Sequence, residues 1–167
     1  MNATSLATAA EQLSDVLERT QTQIVFAESC TGGLVSASLA GIPGISRWLC
    51  GSAVTYQEQT KIDWLAVSPA DLQQHTAVSA AVTLAMATGV LKTTTAAEVA
   101  VAVTGHLGPG APADRDGVIF IAAARRGSEI PPPRRIVLSE QGRAARQAEA
   151  ARLVLQVSME FLAGGKK

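Results

Sequence analysis

Ile24-Val25-Phe26-Ala27-Glu28-Ser29-Cys30-Thr31-Gly32-Gly33 is the stretch on which the fold turns. A short apolar run stops at small polar residues and two glycines, and a helix-like segment, Leu34 to Leu39, follows. The order is strand, tight turn, helix. In an open α/β sheet, ligands bind at the carboxyl ends of the strands. The following helix aims its unpaired N–H groups and positive dipole end at that spot. Ser29, Cys30 and Thr31 therefore stand where an anion would be held. The same features also describe a plain helix cap, in which a serine or threonine contributes about 1 kcal/mol. On this junction alone the cap is the commoner reading, so a nucleophile needs support from elsewhere in the chain.

Moving outward, Leu6, Ala9, Leu13, Val16 and Leu17 recur at helical spacing with Glu11, Asp15, Glu18 and Arg19 opposite, which predicts an amphipathic first helix. Gly41-Ile42-Pro43-Gly44 breaks the helix after the serine turn. The later part of Ser46 to Tyr56 reads as a strand interrupted at Gly51, where a bulge is expected. A short turn or helix ends near Leu65, Ser68-Pro69 starts another, and Ser79 begins a longer helix through Val82, Met86 and Val90. Glu98 to Thr104 alternates valine with alanine and is the clearest strand. Gly117 to Ala124 and Arg135 to Leu138 are two more, and their short connection predicts an antiparallel pair. A last helix from about Gly142 is stopped by Gly164-Gly165, leaving Lys166-Lys167 as a frayed tail. Helices interleaved with strands predict a three-layer α/β/α sandwich with a mixed, mostly parallel sheet of about five strands.

The bulk properties narrow the function. At 167 residues the chain fits one domain, 1–167, burying roughly 70% of its unfolded surface. It is 47% apolar but only 4% aromatic, a composition suited to helices packed closely on a sheet. Zero formal net charge without a Lys/Arg run argues against a nucleic-acid groove. Cys30 and Cys50 make no disulfide framework and lack zinc-ligand spacing with His75 and His106. Met1 to Thr8 has no signal-peptide pattern, and no apolar run approaches a membrane span, so a soluble cytoplasmic protein is expected. No Gly-Lys-Ser/Thr loop exists and Gly-x-Gly-x-x-Gly does not follow the first strand, so neither a cofactor nor a metal is expected.

A triad using His75 or His106 is conceivable, though His75 lies in a polar helix-end setting. The remaining candidate base is a lysine. Its ordinary pKa of about 10.4 must be lowered, and a shift of roughly 3 units costs about 4 kcal/mol. Lys61, beside Ile62 and close to Trp64 and Leu65, has a plausible apolar wall. By spacing alone it reads as a surface lysine.

Ala27-Glu28-Ser29-Cys30-Thr31-Gly32-Gly33 resembles the signature of the CinA C-terminal domain family, the nicotinamide mononucleotide deamidases. Ile42-Pro43-Gly44, Val54-Thr55-Tyr56 with Lys61, Ala77-Val78-Ser79, Val103-Thr104-Gly105, Gly108-Pro109-Gly110 and Gly117-Val118 resemble further family segments in the same order. The resemblance implies hydrolysis of the nicotinamide mononucleotide carboxamide to nicotinic acid mononucleotide and ammonia, with Ser29 as nucleophile, Lys61 as base and Tyr56 hydrogen-bonding near that pair. Backbone N–H groups at the helix start would hold the oxyanion. Thr31, Gly32 and Gly33 would allow close approach of the substrate. Thr104, Gly105, His106 and Gly108 would line its ribose-phosphate end, and Arg143 would supply charge there. Cys30 is read as a small turn residue. The chain departs from the family pattern at His106-Leu107 and from Ala111 to Asp116, which leaves a different amide or a nucleotide-binding module with little turnover as alternatives. A small-molecule nucleotide is the expected partner, with pairing into a homodimer the base-rate expectation.

Overall fold

The computed structural model describes residues 4–164; Met1 and the expected Lys166-Lys167 tail lie outside the described residues. Five strands form one mixed sheet in the order β2-β1-β3-β4-β5: β1 (Ile24–Glu28), β2 (Leu49–Val54), β3 (Val99–Gly105), β4 (Val118–Arg125) and β5 (Arg134–Val137). β1 lies between β2 and β3, parallel to both, while β4 is antiparallel to β3 and to β5. Four strands thus run one way and β4 alone opposes them.

Six α-helices cover the two faces: α1 (Leu6–Thr20), α2 (Leu34–Ala40), α3 (Glu58–Leu65), α4 (Pro69–His75), α5 (Ala80–Thr93) and α6 (Arg143–Gly164). Helices α1, α2 and α6 pack Leu13, Leu17, Val35, Leu39, Val154 and Leu155 against Phe26, Val101 and Ile119. On the other face α3, α4 and α5 bring Leu65, Leu72, Val82 and Met86 onto Val25, Ala27, Ala100 and Ala102. The alternation in β3 explains the difference in depth. Its valines face the first layer and its alanines the second, so α5 lies close to the sheet. The interior strand β1 is buried throughout, as a parallel strand covered on both sides must be.

Two backbone details set up the site. The β1–β2 register slips between Ile24/Val25 and Leu49/Gly51, leaving Cys50 as the extra residue beside Gly51 at φ +143°, where the sequence predicts the bulge. Gly89 sits inside α5, where glycine costs about 1 kcal/mol against alanine. A Cβ there would stand 2.1 Å from the Leu65 carbonyl oxygen, so α3 ends hard against the α5 backbone.

Candidate active site

Ser29 follows β1 directly, and its N–H donates to the Val103 carbonyl of β3. Lys61 lies on α3, across β2, and its Nζ comes within 3.0 Å of Ser29 Oγ. The same Nζ donates to the Thr55 carbonyl at 2.6 Å. Only 1% of Lys61 is exposed. Burial lowers its pKa below the ordinary 10.5, working against smaller raising effects of Cys30 and Glu58. Nζ thus stands between the Thr55 carbonyl and the Ser29 hydroxyl, within hydrogen-bonding distance of both. The Thr55 hydroxyl beside it is buried without a hydrogen-bond partner among the described residues.

Glu28, the residue before the serine, organises the turn. Its carboxylate is fully buried. Oε2 accepts from Thr31 Oγ1 (2.8 Å) and from the N–H groups of Gly33 (2.9 Å) and Val35 (3.1 Å). Oε1 accepts from the Ser36 N–H and hydroxyl (3.0 Å each) and from Ser52 Oγ (2.9 Å). This corrects the expectation that the helix start offers free donors to an anion: the dipole end of α2 is occupied by the protein's own carboxylate. The N–H groups of Cys30 and Thr31, next along the chain from Ser29, donate to no carbonyl or carboxylate among the described residues. Gly32 and Gly33, at φ +61° and +97°, make the turn conformation accessible, and Gln147 of α6 holds it by donating to the Thr31 carbonyl at 3.0 Å.

The other expected residues separate into groups. Tyr56 is exposed, and its hydroxyl accepts from Arg143 instead of bonding to the Ser29–Lys61 pair. Arg143, at the first turn of α6, also donates to the Gly108 carbonyl at 2.7 Å, so it links the β2–α3 side of the site to the β3–β4 loop. Thr104 is buried, and its hydroxyl pairs with that of Thr83 at 2.8 Å, which in turn donates to the Ser79 carbonyl. Its hydroxyl therefore ties β3 to α5 and does not face a ligand. Gly105 is required by packing, since a Cβ would meet Ile119 at 2.5 Å and the Cys30 sulfur at 3.1 Å. His106 is half-buried and spends its N–H on the Val118 carbonyl. The Cys30 thiol points inward, and burial pushes it up to about 12, consistent with a small turn residue.

Several contributors are not apparent from the sequence. Arg146 makes a two-pronged pair with Asp116 at 2.8 and 2.9 Å and donates to the Glu140 carbonyl, fixing the far end of the β3–β4 loop to α6. Its hydrogen bonds, more than its charge, hold the Asp116 carboxyl below its ordinary 3.8. The one visible signal was Glu28 itself, a carboxylate closing an otherwise apolar strand.

A family model for the CinA C-terminal domain matches residues 6–162. The chain belongs to that family. This CinA domain is 40% identical over 124 residues to a CinA-like protein of Syntrophotalea carbinolica, covering 73% of this chain and 30% of that one. It is 38% identical over 133 residues to a putative competence-damage inducible protein of Halalkalibacterium halodurans, covering 79% and 31%. The matched region therefore spans about a third of the length of these curated relatives. Among solved structures, competence damage-inducible protein A from Klebsiella pneumoniae superposes with a TM-score of 0.90 at 27% identity, over 97% of this chain and 99% of that one. A competence/damage-inducible protein from Agrobacterium tumefaciens gives 0.88 at 29% identity, over 98% and 99%. Among the described residues no helix is long and apolar enough to cross a membrane.

Proposed function

We propose that this CinA domain is a serine–lysine amidohydrolase that works without a metal and acts on the carboxamide of nicotinamide mononucleotide. The observation that carries the reading is the 3.0 Å approach of a desolvated Lys61 Nζ to Ser29 Oγ. A hydroxyl is a weak nucleophile until a positioned base takes its proton, and burial favours the neutral form of the amine that can do so. Ser29 Oγ attacks the amide carbon as its proton passes to Lys61. The Cys30 and Thr31 N–H groups, which donate to no carbonyl or carboxylate at the turn, are the candidate donors to the oxyanion that forms. Lys61 then returns the proton to the departing nitrogen, the C–N bond breaks, and ammonia leaves an ester on Ser29. Water, deprotonated by the same lysine, releases the carboxylic acid product. Arg143 at the mouth offers a guanidinium to an anionic end of the substrate.

The test is ammonia release from nicotinamide mononucleotide by purified protein with chelator present, beside Ser29→Ala and Lys61→Ala. Turnover that survives chelator and falls at least about 1,000-fold in both variants is expected. Full turnover in Ser29→Ala would refute the mechanism. A folded wild type that is silent on this substrate but releases ammonia from another amide would retain the chemistry and transfer specificity to the 106–117 loop, where Asp116 and Arg146 set the geometry.

A further inference from the structure

Gly89 is far in sequence from Ser29 and Lys61 and touches neither. It lies in the body of α5, ten residues into a fourteen-residue helix, where alanine would be the more stable choice in the absence of a packing reason. The packing reason is the Leu65 backbone. A Cβ at position 89 would sit 2.1 Å from the Leu65 carbonyl oxygen, 2.9 Å from its carbon and 3.1 Å from its Cβ. The first two are backbone atoms, which no rotamer change can move aside. Leu65 is the last residue of α3, one turn beyond Lys61. The end of that helix closes on the lysine itself: the N–H of Ala66, in the left-handed conformation, donates to the Ile62 carbonyl, and the N–H of Val67 donates to the Lys61 carbonyl at 3.1 Å. Helix α3 has only eight residues, so a push at Leu65 moves the whole element.

We infer that Gly89 is a positioning residue for the catalytic lysine: its missing side chain lets α3 seat against α5 at the depth that brings Lys61 Nζ to Ser29 and keeps it dry. The inference rests on the serine–lysine reading of the site. Bringing the clash from 2.1 Å to the 3.0 Å that real Cβ atoms respect requires α3 to retreat by about 0.9 Å at Leu65. That movement is comparable to the misplacements of about 1 Å that cost on the order of 100-fold in rate. It also opens the wall that shields Nζ, so the ammonium form becomes easier to keep.

The experiment compares wild type, Gly89→Ala and Val90→Ala, the last a core truncation on the same helix that adds no atom against α3. Two readouts are taken: steady-state ammonia release, and the titration of Lys61 followed by NMR of 13Cε-labelled lysine. The chain has four lysines, and Lys61 is assigned by its loss in Lys61→Met. Gly89→Ala is expected to lose about 100-fold in kcat with KM little changed, and to move the Lys61 midpoint upward toward 10.5. Val90→Ala is expected to keep the wild-type midpoint. A Gly89→Ala protein with wild-type kcat and midpoint would overturn the inference, as would an equal upward shift in Val90→Ala. Should Gly89→Ala not fold in buffer, the titration is repeated on it in the stabilising osmolyte trimethylamine N-oxide, and a wild-type midpoint there overturns the inference equally. The titration needs no substrate, so a wild type without amidase activity would remove the proposed function while the midpoint still decides whether Gly89 places the lysine.

Discussion

Replacing Glu28 by glutamine changes one atom in a group that receives six hydrogen bonds, and the structure allows the cost to be worked out. Three donors meet Oε2 and three meet Oε1. With the new NH2 on the Oε2 side, the N–H groups of Gly33 and Val35 both face a donor and cannot turn away. On the Oε1 side only the Ser36 N–H is stranded, because the Ser36 and Ser52 hydroxyls can rotate to accept. The cheaper orientation therefore loses one backbone bond to a charged acceptor, worth about 1.5–3 kcal/mol, plus about 0.3–1 kcal/mol of helix-dipole interaction. The total is about 3 kcal/mol. For a chain of this size that is a fall in Tm of roughly 6–12 °C. Urea and thermal unfolding of Glu28→Gln measure it directly. A variant melting within about 2 °C of wild type would show that this carboxylate does not hold the turn.

Other perturbations separate the remaining parts. Lys61→Met should raise stability, most at lower pH. The folded pKa of Lys61 lies below 10.5, so the unfolded chain holds the proton more tightly and the buried amine is a full burden below its folded pKa. That burden fades as pH climbs to 10.5, and so should the gain, which a Tm series across pH reads. Iodoacetamide at pH 8 should label half-buried Cys50 ahead of Cys30, and Cys30→Ala should retain most turnover; mass spectrometry with residual activity checks both. Asp116→Asn should raise KM severalfold with kcat held, since it loosens the loop and leaves Ser29 and Lys61 untouched. Wild type should keep the pair until pH falls below the ordinary carboxylate range, because Arg146 lowers the Asp116 pKa.

The strand–turn–helix at Ser29 was legible because its signals are local: an apolar run, then hydroxyls and glycines, then a helical period. The β3 alternation and the Ser68 and Ser79 caps were legible for the same reason, and each helix begins within a residue or two of its cap. What could not be read depends on distant partners. Glu28 finds Ser52, 24 residues away, only once β2 lies beside β1. Lys61 is buried only once its helix α3 packs into the fold, and α3 meets α5 at a glycine further along the chain. Tyr56 was expected near the serine from the family resemblance alone, yet it stands exposed, where Arg143 from the other end of the chain meets its hydroxyl. The order of the strands is likewise absent from any local pattern, since β1 is interior only because β2 and β3 flank it.

The two basic side chains Arg143 and Lys61 differ in exposure, and ionic strength distinguishes them. Mobile ions screen charges that water reaches, with a Debye length of about 8 Å at physiological salt, and hardly affect a group sealed under protein. Arg143 is exposed at the rim, whereas Lys61 is enclosed. Added salt should therefore weaken capture of an anionic substrate and leave the chemical step alone, so that kcat/KM declines along a salt series while kcat stays level.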